Sequence, residues 1–194
     1  MKKIIFILIA TLFTSCASDY YALNKYRNIA LPTLVGYRGE NPLSVSLLAD
    51  DAILIEESSS TAIRQYDVTQ YDKSFILKKT KGDYLKITER TSPLEKDTTI
   101  GIKYVFTDLG ANVYEKNRLV GSNPNIKLRN NESHIIRITQ DGDYTTLIVD
   151  CDTLSHYKSS IPASEYTMFH TGIGTEVEIY SFEVKELYET SLFW

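Results

Sequence analysis

The chain has 194 residues, with 21 basic side chains against 25 acidic ones and a net charge of −4. That mild acidic excess, with Lys and Arg scattered along the chain, excludes a broad nucleic-acid surface, which needs clustered cations. Two cysteines and three widely separated histidines (His134, His156, His170) match no zinc-ligand spacing. At the N-terminus, Met1-Lys2-Lys3 precedes an apolar run from Ile4 to Phe13, followed by Thr14-Ser15-Cys16. A basic start, a greasy stretch and small residues form the three-part pattern of a secretory signal. The run is too short to cross a bilayer as a helix, which takes about 20 apolar residues.

Ending on a cysteine, this segment resembles a bacterial lipoprotein signal: residues 1–15 are removed, and Cys16 is lipidated and becomes the first residue. Thr14 and Ser15 fit the small residues such signals carry, whereas Phe13 stands where leucine is usual. Ala17, rather than Asp, follows the cysteine, which resembles the pattern of lipoproteins sorted to the outer membrane. The alternative is ordinary cleavage within Ser15-Cys16-Ala17, giving a soluble secreted or periplasmic protein. Loss of Lys2 and Lys3 makes the mature chain two charges more negative than the full-length −4. With Cys16 lipidated, Cys151 has no disulfide partner, and its setting in Leu147-Ile148-Val149-Asp150-Cys151 reads as that of a small buried hydrophobe.

Residues 16–42, with Pro32, Gly36, Gly39 and Pro42, read as a lipidated tether and irregular lead-in. Residues 43–194 read as a single domain in which the period is two. Ile100, Ile102, Tyr104 and Phe106 alternate with Gly101, Lys103, Val105 and Thr107, as in a half-buried strand. Further strands are expected at 43–48, 52–56, 74–79, 84–88, 111–115, 133–140, 144–150, 166–170 and 175–187. In the last of these the apolar phase passes from Val177 and Ile179 to Phe182 and Val184. One extra residue near Tyr180-Ser181, a β-bulge or a corner, accounts for the change. Lys81-Gly82-Asp83-Tyr84 and Asp141-Gly142-Asp143-Tyr144 both read as tight hairpins, glycine supplying the positive φ. About ten short strands in one domain of this size predict a sandwich or a barrel.

From Ser133 to Leu187 the order is a strand (His134-Ile135-Ile136-Arg137-Ile138), a tight turn, a second strand from Tyr144 to Asp150, and a closing strand from Val177. This resembles the second half of a concanavalin A-like (laminin-G-like) jelly roll of the kind found in Bacteroidota-type secreted lipoproteins. With Tyr104–Tyr114 as a preceding strand region, the likeness covers about residues 74–188. It implies an all-β, two-sheet antiparallel jelly-roll sandwich, and it associates the chain with proteins that bind or cleave glycans. A lipocalin-like barrel fits the same length but lacks its glycine–tryptophan opening, since the only tryptophan is Trp194.

Glycan recognition needs aromatic faces for the sugar rings and polar groups for the hydroxyls, and the chain has 14 tyrosines. Lys103, Arg137, Glu178 and Tyr180 fall on polar strand faces, with Tyr114 and Tyr144 near turns; if those faces form one sheet surface, they line a shallow polar groove. Glycoside cleavage needs two carboxylates flanking the bond, about 5–5.5 Å apart in retaining enzymes. The nearest pair is Glu176 and Glu178, for which solvent-facing acids on an amphipathic strand are the default reading. Asp141, Asp143, Asp150 and Asp152 supply hard oxygens for calcium, against plain turn-forming roles; no other cofactor is implied. The expected role is non-catalytic recognition, with carbohydrate as ligand and the membrane reached through the lipid. The alternatives are a structural or accessory lipoprotein docking on envelope proteins, and a glycoside hydrolase.

Overall fold

A computed structural model of the chain describes residues 53–56, 60–64, 70–92, 99–164 and 166–187, together with the backbone of three short strands nearer the N-terminus. Among the described residues there are fifteen strands and no helix. In chain order these are β1 (Tyr26–Asn28), β2 (Thr33–Val35), β3 (Val45–Leu47), β4 (Ile53–Ile55) and β5 (Ser60–Arg64). Then come β6 (Tyr71–Lys81), β7 (Leu85–Glu89), β8 (Ile102–Thr107), β9 (Gly110–Glu115) and β10 (Arg118–Asn123). The last five are β11 (Ser133–Asp141), β12 (Tyr144–Val149), β13 (Asp152–Lys158), β14 (Tyr166–Thr171) and β15 (Glu176–Leu187).

The strands form two antiparallel sheets. The first runs β13-β12-β11-β6-β15-β4-β3, with β1 also paired to β15; the second runs β10-β9-β8-β7-β14-β5-β2. This is the expected all-β two-sheet jelly-roll sandwich. β1 and β2 lie within the stretch expected as irregular lead-in, yet β1 pairs with β15 and β2 with β5. Three residues each are too few for an alternation to show in sequence. The signal segment and Cys16 lie outside the described residues.

Alternation decides which side chains face the core. β6 and β8 bury every second residue, so Phe75 and Leu77 meet Tyr104 and Phe106 between the sheets. Phe75 packs edge-on to Phe169 across the sandwich, centroids 5.5 Å apart. In β15 the pairing with β6 slips between Tyr180 and Glu183, so two residues, Ser181 and Phe182, face the single Phe75. Ser181 takes a left-handed φ of 50° and Phe182 turns inward to stack on Phe75 at 5.1 Å. The expected bulge is there, and it is what moves the apolar phase from Ile179 to Phe182.

The two glycine turns differ. Asp141-Gly142-Asp143-Tyr144 is a hairpin, with Asp141 paired to Tyr144. Lys81-Gly82-Asp83-Tyr84 is not: it carries the chain from β6 in the first sheet to β7 in the second. Gly82 has φ +83°, and a Cβ there would lie 2.3 Å from the Thr175 hydroxyl oxygen. The local chemistry is that of any tight turn, and only the sheet assignment of its two flanks separates a corner from a hairpin.

Cys151 also departs from expectation. The β12–β13 turn, with Asp150 at φ 58°, takes it off the strand alternation, so it is exposed, and it is disulfide-bonded rather than a free thiol. The other cysteine of the chain is Cys16.

Between the sheets, at the start of β6, sits a buried polar group. The Lys73 ammonium lies 2.8 Å from Glu89 Oε2, both side chains fully buried. Tyr71 donates to the same oxygen at 2.5 Å, and Lys73 also donates to the Thr167 hydroxyl. Burial pushes the Lys73 pKa down, while the Glu89 charge and hydrogen bond pull it back.

Candidate functional site

The four sequence-predicted ligand residues do not share one face. Arg137 on β11, and Glu178 and Tyr180 on β15, lie on the outer side of the first sheet; Lys103 on β8 belongs to the second. All four are already engaged, Lys103 donating to Asn117 Oδ1 at 2.6 Å. Arg137 makes a two-pronged ion pair with Asp72, Nε to Oδ1 and Nη2 to Oδ2 both at 2.8 Å, and the Thr139 hydroxyl donates to the same carboxylate. Glu178 faces Lys78 at 3.3 Å and accepts from the Tyr180 hydroxyl, a bond that raises the Tyr180 pKa. This face is a charge ladder that satisfies itself, so the groove expected from these residues does not assemble. The sequence showed which residues point outward but not which sheet each strand joins.

The acid pair is similarly occupied. Glu176 accepts from Thr80 and pairs with Lys81 at 2.9 Å. The Lys81 and Thr80 hydrogen bonds hold its carboxyl below the ordinary carboxylate value, the opposite of what a general acid needs. The four aspartates considered for calcium stand at the two ends of β12, Asp141 and Asp143 at one and Asp150 and Asp152 at the other. Among the described residues no group of three or more His, Cys, Asp or Glu side chains is placed to hold a metal ion. Asp150 instead accepts from the Ile135 amide and bonds His134 Nδ1, both at 2.9 Å.

A different arrangement stands at the β11–β12 hairpin. Tyr144 is 43% exposed, and its ring stacks on His156 of β13, centroids 5.0 Å apart and planes 11° from parallel. The pairing register causes this: Tyr144 sits opposite Lys158, Thr146 opposite His156, and all four project to the same side. Thr146 Oγ1 bonds His156 Nδ1 at 2.8 Å, fixing the imidazole, and the Lys158 ammonium lies 5.9 Å from the Tyr144 ring centre. Beside this platform is an open depression of about 550 Å³ lined by Asp143, Lys158, Ser159, Ser160, Ile161 and Pro162.

Two buried side chains hold the platform and the depression in place. Arg90, 2% exposed and at φ 54°, reaches from the end of β7 across to the first sheet. Its guanidinium donates to Thr145 Oγ1 (2.7 Å), Ile161 O (2.6 Å), Gly142 O (2.8 Å) and Tyr144 O (3.3 Å). One planar fork therefore ties the hairpin turn, the backbone of Tyr144 and the wall of the depression to the second sheet. Glu115, at the end of β9, accepts from the Ser159 hydroxyl (2.5 Å), the Tyr157 hydroxyl (2.8 Å) and the Ser160 amide (3.3 Å). Burial raises its pKa, but these hydrogen bonds with the nearby Lys116 outweigh that and hold the carboxyl below its ordinary value. Arg90 and Glu115 were not legible in the sequence, where both read as polar residues at strand ends.

An exposed aromatic stack, an acid, an amine and a serine hydroxyl at the edge of a depression can receive a flat, hydroxylated ring. The apolar face of the ring lies on the aromatic, and its hydroxyls find both donors and acceptors.

No protein-family model matches the chain, and no curated protein matches it. Solved structures do. The carbohydrate-binding module CBM66 from Bacillus subtilis superposes with a TM-score of 0.60 at 9% identity, over 81% of this chain and 98% of that one. The exoplasmic/lumenal domain of VIP36 in its calcium- and mannose-bound form gives a TM-score of 0.57 at 11% identity, over 84% and 86%. A sialidase gives 0.59 at 11% identity, over 75% of this chain and 16% of that one. At these identities the likeness is one of fold.

Proposed function

We propose that the protein is a cell-envelope lipoprotein whose β-sandwich is a non-catalytic carbohydrate-recognition module, with the sugar bound on the Tyr144–His156 platform. The observation that carries this reading is the exposed parallel stack of Tyr144 on His156 at the rim of the depression. The same fold in a carbohydrate-binding module and in a mannose-bound lumenal domain supports carbohydrate as the ligand class. Asp143, Lys158 and Ser160 supply the polar contacts, and Arg90 and Glu115 keep them in place before the ligand arrives, so little ordering cost is left to binding. A broad glycan array probed with the protein tests the reading: reproducible binding to a defined class of oligosaccharide supports it. A blank array moves the role to that of an accessory envelope lipoprotein. The 56% exposed Ile135, beside the half-buried Ile76 on the first sheet, favours that role.

The anchor is lipid on Cys16, and its proposed location is the outer membrane. A thioether-linked lipid and an intrachain disulfide to Cys151 would both use the Cys16 sulfur, so the anchored form proposed is one in which Cys151 is not joined to the Cys16 of the same chain. Labelled palmitate should mark the wild type but not Cys16→Ala, and the intact mass of the mature protein should show a lipid adduct. An unlabelled protein whose mass drops by no lipid but whose two cysteines are joined contradicts the anchor.

A further inference from the structure

The two outer faces differ in charge. On the first sheet each cation described has an acid beside it: Arg137 with Asp72, Lys78 with Glu178, Lys81 with Glu176. The strands of the second sheet contain only two carboxylates, Glu89 and Glu115, and both are buried. Its outer face is therefore free of strand acids, yet it carries cations. Lys86 stands opposite His170 on one side and Val105 on the other; Lys103, two residues before Val105, stands opposite Tyr114. Diagonal neighbours of this kind lie about 7–8 Å apart at the backbone. Tyr84, just ahead of Lys86, packs edge-on to the His170 ring at 6.2 Å, and His170 Nδ1 bonds Ser60 Oγ at 2.7 Å. Among the described residues Lys86 makes no ion pair. Burial and the charge of Lys103 push its pKa down, and burial and Lys86 do the same to His170. Burial is the larger cause for both, so Lys86 is a half-buried ammonium that a bound anion would favour.

We propose that this face is a second binding surface, one for an anionic saccharide: Lys86, Lys103 and His170 receive a carboxylate or sulfate, and Tyr84 and Tyr114 flank the sugar ring. The proposal takes its ligand class from the carbohydrate reading above but not its site. Two lysines and an imidazole among tyrosines suit one charged group on a ring, whereas a nucleic-acid backbone calls for a longer basic stripe and a less acidic protein. A site of this kind keeps an unfavourable lysine for binding, so replacing that lysine should cost binding and not stability.

The test is calorimetric titration of the full-length protein with three probes: a galacturonic-acid oligomer, a sulfated galactan oligomer and a neutral galactan oligomer. The expected result is binding of an anionic probe that weakens with added salt and falls at least tenfold in both Lys86→Met and Lys103→Met. Lys86→Met should melt at or above the wild-type temperature, and Tyr144→Ala should bind the anionic probe as wild type does. Whichever anionic oligomer binds identifies carboxylate or sulfate as the recognised group. Absence of binding to both anionic probes, or equal affinity in the two lysine variants, overturns the proposal. Because Tyr144→Ala reports on the platform alone, loss of neutral-glycan binding there leaves this result standing.

Discussion

Arg90 shows how much one side chain can organise. A buried guanidinium bonded to three backbone carbonyls and a hydroxyl is satisfied only while the hairpin, the depression wall and the end of β7 keep their places. Arg90→Ala removes four donated hydrogen bonds and leaves carbonyls facing a gap; a loss of at least about 3 kcal/mol in urea unfolding is expected, together with loss of glycan binding. Arg90→Lys should recover part of the stability but not the binding, because a single ammonium cannot span four acceptors on two segments. A wild-type affinity in Arg90→Lys would contradict the bracing role. Sequence reasoning had no access to this residue. A buried arginine in Glu89-Arg90-Thr91-Ser92 reads as the polar end of a strand, and its acceptors come from positions more than fifty residues away.

At the scale of elements, periodicity carried far where strands are long and central. β8, β9 and β11 alternate cleanly because one face is core and the other solvent, and the phase change in β15 was readable as a bulge for the same reason. Short strands at the sheet edges gave no such signal: β2 has three residues, and β10 and β13 are edge strands with few buried positions. Pairing partners were also out of reach, which is why Lys103 was grouped with Arg137 although they lie on different sheets. The bulge itself can be tested. Deleting Ser181 places Phe182 directly after Tyr180, so β15 pairs regularly with β6 and Phe182 still faces Phe75, whereas deleting Phe182 leaves Ser181 facing inward in its place. The Ser181 deletion should therefore cost little, while the Phe182 deletion loses a half-buried aromatic contact and should cost about 2 kcal/mol, less than a full core truncation, read as a lower urea midpoint. A Ser181 deletion as destabilised as the Phe182 deletion would mean that Ser181 is not the extra residue that resets the phase.

For the whole molecule, the question is what locks the sheets together besides apolar packing. Lys73 from the first sheet and Glu89 from the second form an ion pair that water does not reach. Such a pair repays little of its desolvation, but removing one partner strands the other charge. Lys73→Met and Glu89→Leu should each cost about 3–5 kcal/mol, whereas the double variant should cost much less than their sum. Additive losses would mean that the two groups do not act as a pair. The sandwich braced in this way presents on one face a self-satisfied ladder with the Tyr144 platform toward its β12–β13 edge, and cations on the other.

The central claim is that this platform binds sugar. The measurement that tests it most directly is the dissociation constant of an array-identified oligosaccharide for the wild type, Tyr144→Ala and Tyr180→Ala, side by side. The account predicts that Tyr144→Ala weakens binding by about 2 kcal/mol, roughly 30-fold, while Tyr180→Ala, whose hydroxyl is committed to Glu178, binds as the wild type does. Binding that survives in Tyr144→Ala and disappears in Tyr180→Ala would contradict it and return the site to the Arg137–Tyr180 part of the first sheet's outer face.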